Sequence, residues 1–413
     1  MHPPRIRKFV IPCLYLYAYN AAVTFQCLIF CHRYIIINAL LLYIISSVYV
    51  PGEQAVRAVS SAAGLGGVGI FRDGEEMKII IDAFGGDNAP SEIIKGAALA
   101  LEEFPELEII LTGDEEKTAA EVEKYPQAKR RIRIVHAPEL ISMDEPPVTA
   151  VKRKRHSSLV EGLELLKAGE GDAFITCGST GATLSGALLR VGRIKGILRP
   201  ALAPMLPNNN KGVLLIDCGA NMDCKSANLV QFAMMGDIYM RKVIGVERPR
   251  VALANVGTES EKGNELTHEV FPILAADKNL NFVGNMEGRD VFTAADVIVS
   301  DGFAGNLLLK SIEGTAGYMT SLMKREFSSS LRSKLGAALL MPALKRFKKS
   351  MDYTEYGGAP LLGIDGVVLK GHGSSNAKAL ASTVRQAVRM VDGRVVDTIK
   401  QALTAQAEQS GNE

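Results

Sequence analysis

The sequence predicts an α/β fold with a doubly wound, mainly parallel sheet, because strand-like and helix-like segments alternate from Met77 onward. The first strand-like run, Lys78–Ile81, is apolar and rich in isoleucine, which is typical of a strand buried on both faces. It ends at Asp82, and Gly85–Gly86 then permit a tight turn before a long helical pattern. Hydrophobic residues make up 47% of the chain and charged residues 22%, so a large core can form.

The later segments continue this alternation. Apolar residues at helical spacing predict helices over Ser91–Phe104, Ser157–Ala168 and Ala377–Val391. Residues 407–413 are expected to form a flexible tail. The predicted strands are Glu108–Thr112, Ile132–His136, Ala173–Thr176, Val213–Asp217, Val251–Asn255, Phe282–Val283, Val297–Ser300 and Val367–Lys370.

Residues 1–76 differ in composition from the rest of the chain. No acidic residue precedes Glu53, and two apolar runs, Phe9–Cys31 and Tyr34–Val50, follow a short basic stretch, as in a signal or anchor segment. One interpretation is a membrane-inserting leader. The other is a start assigned too early, which is favoured because the composition changes abruptly near Gly52 and Met77 opens the first strand directly.

Several functional classes are not supported. The net charge of +2 gives no general reason to expect nucleic-acid binding. No CxxC pair occurs, so neither a zinc ribbon nor a redox motif is predicted, and Cys177 and Cys218 are expected to be small buried residues. Gly64–Gly69 matches a dinucleotide fingerprint without a preceding strand, and Gly219–Ser226 resembles a phosphate-binding P-loop in which Cys224 replaces the second glycine.

Glycine and small polar residues collect after four of the predicted strands. These loops are Cys177–Gly181, Asp217–Asn221, Asn255–Glu259 and Asp301–Asn306. Because the carboxyl ends of parallel strands share one edge of a sheet, we expect the loops to converge there. Exposed main-chain N–H groups and neutral side-chain donors suit an anion such as phosphate. The alternative is that each loop only caps a helix.

Cationic side chains near these loops provide candidate phosphate ligands. Lys262 follows the third loop, whereas Arg289 precedes the fourth loop and Lys310 follows it. Each could equally be solvated or salt-bridged. His372 lies between two glycines at a predicted strand end, where either a ligand-binding or a structural role is open. The basic run Lys152–His156 is either a solvated face or a docking patch for an acidic partner.

Residues 318–351 form a basic amphipathic stretch. After Glu326 no acidic residue occurs until Asp352, and Pro342 is expected to divide the stretch into two short helices. Such a segment suits either an anionic membrane surface or a helical hairpin in a dimer interface. The residues expected to face a membrane are Leu331, Leu335, Leu339, Lys345 and Phe347.

Taken together, these blocks resemble the bacterial phosphate acyltransferase family, the acyl-acyl carrier protein:phosphate transacylases known as PlsX. The resemblance runs from Met77 to about Arg389, and family members usually begin at the position of Met77. Phe84 stands where the family often has methionine. The matching blocks are IDAFGGDNAP, CGSTGA, LLIDCGANMDCK, NVGTESEKGNE, GNMEGRD, SDGFAGNLLLK, YGGAPLLG and GHGSSNAKA.

The resemblance implies a Rossmann-like fold related to isopropylmalate dehydrogenases and phosphotransacetylases, over residues 77–406, with 318–351 as an amphipathic helical insertion. It implies a cytosolic homodimer that associates peripherally with membrane. Its reaction would convert acyl-acyl carrier protein and inorganic phosphate to acyl phosphate and free carrier protein. A glycerol-3-phosphate acyltransferase would then use the acyl phosphate for phospholipid synthesis. We expect neither a cofactor nor a metal ion.

The expected catalytic residues are Lys262, Asn306 and His372. Lys262 would bind phosphate or neutralise the transition state, Asn306 would donate from its amide, and His372 would protonate the departing thiolate. The expected phosphate- and substrate-binding residues are Asp82, Gly85, Gly86, Gly178, Ser179, Thr180, Gly181, Asn221, Asn255, Gly257, Arg289, Gly305 and Lys310.

Two other functions are weighed against this one. A dehydrogenase of related fold would need a dinucleotide fingerprint between a strand and a helix, and the sequence offers none in that context. A membrane-surface adaptor of lipid synthesis would bind lipid through the basic helical stretch without catalysing a reaction.

Overall fold

A computed structural model describes residues 77–208, 210–350 and 357–410, so the predicted leader and residues 411–413 lie outside the described residues. The strands are β1 (Met77–Asp82), β2 (Leu107–Gly113), β3 (Ile132–His136), β4 (Ala173–Thr176), β5 (Ala201–Leu202), β6 (Met205–Leu206), β7 (Val213–Ile216), β8 (Arg250–Asn255), β9 (Asn281–Glu287), β10 (Val297–Val299), β11 (Ala359–Leu362) and β12 (Val367–Lys370).

The helices lie mainly between these strands. Two of them, α6 and α7, continue as π-helical turns at Ala187–Val191 and Met240–Ile244. The helices are α1 (Ser91–Glu103), α2 (Glu115–Val122), α3 (Pro126–Lys129), α4 (Pro147–Arg153), α5 (Ser158–Lys167), α6 (Thr180–Gly186), α7 (Ser226–Tyr239), α8 (Glu265–Ala276), α9 (Gly302–Ser328), α10 (Leu331–Ser350), α11 (Ala377–Asp392) and α12 (Val395–Ser410).

The strands form two sheets. The order of the seven-stranded sheet is β3-β2-β1-β4-β12-β11-β5, and that of the five-stranded sheet is β6-β7-β10-β8-β9. The pairs around β1, β4 and β10 are parallel, whereas β5, β6 and β11 pair antiparallel. The predicted α/β class with mainly parallel strands is therefore confirmed, although the strands are divided between two sheets rather than gathered in one.

The core explains why the strand β1 is apolar throughout. Ile79 and Ile81 pack into one apolar cluster, with residues of α1 and α11, while Ile80 faces a second cluster, with residues of α5. All three side chains are fully buried. Helices thus cover both faces of the seven-stranded sheet, which is the arrangement that a continuous apolar strand predicts.

The chain crosses between the two sheets at Ala201–Leu206. Its first half pairs with β11 as β5, and its second half pairs with β7 as β6. The N–H of Cys218 donates to the carbonyl of Leu202 (2.9 Å), and the N–H of Leu215 donates to the carbonyl of Pro204 (3.0 Å). Main-chain hydrogen bonds therefore connect the sheets next to the end of β7.

The carboxylate of Asp217 strengthens this junction. Asp217 is fully buried and accepts four hydrogen bonds from N–H groups: those of Leu202 (2.9 Å), Ala220 (3.2 Å) and Asn221 (2.7 Å), and the side-chain amide of Asn221 (3.0 Å). Burial raises the pKa of Asp217, while these donors act in the opposite direction. One side chain thus fixes the β7 loop and ties it to the other sheet.

The amphipathic stretch differs from its prediction in one respect. Pro342 lies inside α10, and the break between helices falls at Ser329–Ser330 instead. Within α10, Leu331 (76%) and Leu339 (84%) are largely exposed, as are Leu335, Lys345 and Phe347. A proline removes only one intrahelical donor, so the flanking turns can continue the helix with a local bend. The hairpin arrangement of α9 and α10 stays a prediction.

Of the helices in the described part of the chain, none combines the length and the apolarity that a membrane span requires. At the carboxyl end, α12 runs past Gln406 to Ser410, so the first residues of the predicted tail are helical.

We expect the substitution Asp217→Asn to lower the free energy of unfolding by about 3 kcal/mol, because one of its oxygens becomes an NH₂ group facing buried N–H donors. Denaturant unfolding measures the change. Asp223→Asn, on an exposed residue of the same segment, should shift it by less than about 0.5 kcal/mol. Equal stability of the two variants would show that Asp217 does not hold the junction.

Candidate active site

Three loops of the seven-stranded sheet lie side by side, since they follow the adjacent parallel strands β1, β4 and β12. Asp82, at the end of β1, accepts a hydrogen bond from the hydroxyl of Thr176 (2.7 Å) at the end of β4. Its other carboxylate oxygen accepts from the N–H of Phe84 (3.1 Å). Asp82 therefore orients the loops, and both of its carboxylate oxygens accept hydrogen bonds from the protein.

The β1 loop is also fastened to the β12 loop. The N–H of Asp87 donates to the carbonyl of Gly373 (2.8 Å), and the amide of Asn88 donates to the carbonyls of Ser374 (3.1 Å) and Ser375 (3.2 Å). Gly86 has φ +99° and lies so close to the Gly373 carbonyl that a side chain would not fit. Two chain segments almost 290 residues apart in sequence thus form one wall of the site.

The β4 loop presents small residues to the same edge. Ser179 caps α6, and its hydroxyl accepts from the N–H of Ala182 (3.4 Å). Gly178 packs behind Gly85, whereas Gly181 packs against Pro147 at the start of α4. Thr180 is exposed at the first turn of α6. The predicted glycines Gly85, Gly86, Gly178 and Gly181 therefore allow close loop packing and leave Ser179 and Thr180 at the surface.

In the five-stranded sheet, the β7 loop and the first turn of α9 form a second pair. The N–H of Gly302 donates to the carbonyl of Asn221 (2.8 Å), and Gly305 packs directly on the carbonyl of Asp217. This packing places Asn306 beside Gly219, half-buried. The amide of Asn306 has no hydrogen-bond partner among the described residues, so it can donate a hydrogen bond to a ligand.

The β8 loop carries Lys262. The amide of Asn255 donates to the carbonyl of Lys262 (2.9 Å), and the buried Gly257 packs against the Lys262 side chain. The sequence places Lys262 at the start of a helix, but α8 begins at Glu265 behind the cap residue Asn264. Lys262 is exposed in the loop, and within the described chain its ammonium has no hydrogen-bonded or salt-bridged partner. Asn255 and Gly257 thus position a free cation.

Loops of the two sheets meet across a narrow gap. Thr180 of the β4 loop and Ala220 of the β7 loop line the same small cavity, together with Lys370 at the end of β12. Lys310 and Glu313 of α9 lie near enough for their charges to act on Lys370 and His372. The predicted convergence is therefore seen for the β1, β4, β7 and β12 loops and the start of α9.

Two predicted cations are already compensated within the protein. Arg289 is exposed and forms salt bridges with Glu287 and Asp290. Lys310 donates to Glu313 (2.7 Å). Their assignment as phosphate ligands stays a prediction, and each would have to exchange a carboxylate for the ligand.

His372 is exposed in the β12 loop, and its Nδ1 accepts from the N–H of Ser374 (3.2 Å). That bond leaves the proton of a neutral ring on Nε2. Partial loss of hydration lowers the pKa of His372, and the charges of Lys370 and Lys310 lower it further. At neutral pH the ring is therefore the neutral imidazole, which has one N–H donor, and not the imidazolium, which has two.

Cys177 and Cys218 are unsuited to nucleophilic catalysis. Both are buried and free, as expected from the sequence. Burial raises the pKa of the Cys177 thiol to about 11, and it raises that of Cys218 well above its usual value. Because the thiolate is the reactive form, neither group is activated.

One residue at this edge is missing from the sequence-based site. Lys370 ends β12 directly before the Gly371-His372 pair, and it lines the cavity between the two sheets. Its position in the sequence could have indicated this role, because the last residue of a parallel strand lies at the ligand-binding edge of the sheet. A lysine at a strand end resembles a solvated side chain, so only the packing reveals it.

A larger open cavity, of about 750 Å³, lies at the opposite edge of the seven-stranded sheet. Two of its ion pairs are Lys78 with Glu108 (3.5 Å) and Arg133 with Glu170 (2.7 Å), and Arg131 donates to main-chain carbonyls. The glycine-lined loops follow the carboxyl ends of the strands, and we therefore place the site at that edge. In the part of the chain that the structure describes, no cluster of His, Cys, Asp or Glu could hold a metal ion.

The fold is that of a phosphotransacetylase-like α/β protein. A phosphotransacetylase from Streptococcus pyogenes superposes with a TM-score of 0.53 at 19% identity, covering 77% of this chain and 95% of its own. A phosphotransacetylase from Staphylococcus aureus gives 0.51 at 17% identity, with the same coverage. At these identities the likeness concerns the fold alone, and it confirms the predicted relation to phosphotransacetylases.

The chain belongs to the fatty acid synthesis protein family, whose model matches residues 77–398. A phosphate acyltransferase from Thermoanaerobacter pseudethanolicus is 50% identical over 334 residues, which are 81% of this chain and 99% of that protein. A phosphate acyltransferase from Clostridium novyi is 47% identical over 325 residues, which are 78% of this chain and 98% of that protein. The resemblance identified from the sequence blocks is therefore confirmed.

The substitution Gly305→Ala should destabilise the protein by about 2 kcal/mol, because its Cβ would overlap the carbonyl of Asp217. We also expect turnover to fall by ~10²-fold as Asn306 is displaced. Unfolding and acyl-transfer assays measure both effects. Gly314→Ala in the same helix meets nothing within 4 Å and should stabilise by about 0.5 kcal/mol. If both variants behave alike, the packing of α9 on the β7 loop does not position the site.

Proposed function

We propose that this protein transfers the acyl group of acyl-acyl carrier protein to inorganic phosphate, giving acyl phosphate and free carrier protein. The observation that carries the proposal is the relationship to phosphate acyltransferases at about half identity over nearly their whole length. The loop edge supports it independently, since it offers an unpaired amide, an unpaired ammonium and small residues to an anion. The carrier protein as acyl donor follows from the resemblance of the sequence blocks.

The reaction needs no covalent enzyme intermediate. An oxygen of the phosphate dianion attacks the thioester carbonyl, the new C–O bond forms, and the C–S bond breaks to release the carrier thiolate. The protein must hold the anion against the thioester and stabilise the oxyanion that develops. Inert, buried cysteines agree with this direct route.

The chain supplies donors suited to these tasks. Lys262 brings a positive charge on a loop held by Asn255, and the amide of Asn306 points from the first turn of α9. Asp82 and Asp217 are buried and accept from protein N–H and O–H groups, so they orient the loops. His372 would donate its Nε2–H to the departing thiolate as negative charge develops there.

The surface of α10 supports peripheral attachment to a membrane. Leu331, Leu335 and Leu339 are exposed, and the flanking Lys345 and Arg346 carry positive charge. Apolar side chains inserted between anionic headgroups, with basic residues at their level, form a reversible anchor. The acyl phosphate would then pass to a glycerol-3-phosphate acyltransferase that uses it, and two copies of the chain would form the cytosolic enzyme.

Formation of acyl phosphate, trapped as hydroxamate with hydroxylamine, tests the proposal directly. Wild-type protein mixed with acyl-acyl carrier protein and phosphate should produce it, and Lys262→Ala should lower turnover by ~10²-fold if Lys262 contacts the developing charge. Lys278→Ala, on an exposed lysine far from the site loops, should leave turnover unchanged. Liposome binding without any acyl phosphate would favour the membrane-surface adaptor instead.

The pH dependence tests the role of His372. Because the imidazolium keeps its Nε2–H and is the stronger acid, the contribution of His372 to kcat at saturating phosphate should grow as the pH falls through its lowered pKa, below pH 6.5. His372→Gln should lack this contribution. Phosphate itself titrates near neutrality, but it affects both proteins equally, so the ratio of the two kcat values isolates the ring. An unchanged profile in His372→Gln would exclude the ring from catalysis.

A further inference from the structure

Lys370 is a half-buried cation at the junction of the two sheets. It ends β12 and is paired in register with Thr176 of β4, and the N–H of Gly371 donates to the carbonyl of Thr176 (2.8 Å). Thr176 in turn holds the carboxylate of Asp82. The main chain at Lys370 is thus held between β4 and β11, where Ala359 is its partner in register. The Cα position from which its side chain extends is therefore fixed.

Among the described residues, the ammonium of Lys370 forms no salt bridge and no hydrogen bond. Glu313 is already bonded to Lys310, and the Asp82 carboxylate accepts from Thr176 and Phe84. The exposed carboxylate of Asp87 acts on Lys370 only through its charge. Burial lowers the pKa of Lys370 and so does Lys310, whereas Asp87, Glu313 and the neighbouring Cys177 act in the opposite direction.

An unpaired buried charge is unfavourable in a folded protein, and proteins retain one mainly where a ligand completes the pair. Thr180, which is exposed, and Ala220 bring the β4 and β7 loops to the small cavity that Lys370 also lines. The hydroxyl of Thr183 donates to the carbonyl of Ser179 (2.8 Å) and is not a free donor. Leu184, Leu202 and Leu361 complete the lining, which is mainly apolar.

The cavity is too small to enclose a phosphate group, because its volume of about 10 Å³ holds roughly one water molecule. An anion would therefore lie at the mouth of the cavity, where the β4, β7 and β12 loops meet. The charge of Lys310 on α9 acts on both Lys370 and His372, so the three groups lie near one another.

We propose that Lys370 is a further substrate-binding residue, whose ammonium holds a phosphate oxyanion where the β4, β7 and β12 loops meet. The proposal rests on the proposed function for the identity of the anion. Two substrates present such a group: inorganic phosphate, and the phosphodiester of the carrier protein's phosphopantetheine arm. The KM values for the two substrates distinguish them.

The test compares wild type with Lys370→Met, which keeps the length of the side chain and removes its charge. A charge-assisted hydrogen bond lost to the substrate should raise one KM by about 10- to 100-fold. A rise in the KM for phosphate assigns the site to the nucleophile, and a rise in the KM for acyl-acyl carrier protein assigns it to the arm. Lys278→Met removes an equal charge at a remote exposed position and should change neither KM.

Thermal unfolding supplies a readout that does not need turnover. Inorganic phosphate should raise the Tm of wild type and of Lys278→Met, and it should raise that of Lys370→Met much less if phosphate is the ligand. Lys370→Gln replaces Lys370→Met if the latter does not fold. If the wild type makes no acyl phosphate, the proposed function is refuted. The difference between wild type and Lys370→Met in the phosphate-dependent rise of Tm still tests whether Lys370 binds phosphate. The proposal for Lys370 is overturned if both KM values and the phosphate-dependent Tm of the variant match wild type.

Discussion

The hydrogen bonds to the buried carboxylate of Asp217 are the interaction on which the site depends. They join β5 of one sheet to the β7 loop of the other, and the carbonyl of the same residue supports Gly305 in α9. Without this joint the two sheets would still share an apolar cluster, which contains Ile79 of β1 and Val297 of β10. What would be lost is the register between the β4 and β12 loops on one side and Asn306 on the other. The proposed chemistry requires that register, since the acyl donor and an anion must be held together.

The electrostatic design separates structural from functional charges. Buried carboxylates such as Asp82 and Asp217 have their oxygens occupied by N–H and O–H donors of the protein. The amide of Asn306 and the ammonium groups of Lys262 and Lys370 have no hydrogen-bond or salt-bridge partner among the described residues, and these donors attract an oxyanion. The exposed carboxylate of Asp87 in the β1 loop opposes this attraction, and its charge acts on Lys370 and His372.

Sequence patterns predicted most of the framework but not the way its parts are joined. Strands such as β3, β4 and β12 were predicted with their observed limits, because short runs of apolar, β-branched or aromatic residues lie between polar or glycine-containing segments. The two-residue strands β5 and β6 carry no periodic signal, and with them the division into two sheets was missed. Pro342 predicted a helix break that does not occur, because it lies inside α10. Lys370 was overlooked because nothing local distinguishes a buried strand-end lysine from a solvated one.

The helix α9 connects the proposed chemistry to the proposed membrane surface. Its first turn contains Gly305 and Asn306, its next turns carry Lys310 and Glu313, and its far end leads into the exposed apolar side chains of α10. With 27 residues it is about 40 Å long, so a lipid surface that holds α10 need not disturb the loops at the other end. An acyl phosphate has an apolar chain and a charged head, and hence prefers an interface to bulk water. A single rigid element would thus keep the site near the place where its product partitions. The position of Asn306 is set separately, by the packing of Gly305 on Asp217 and the hydrogen bond from Gly302 to Asn221.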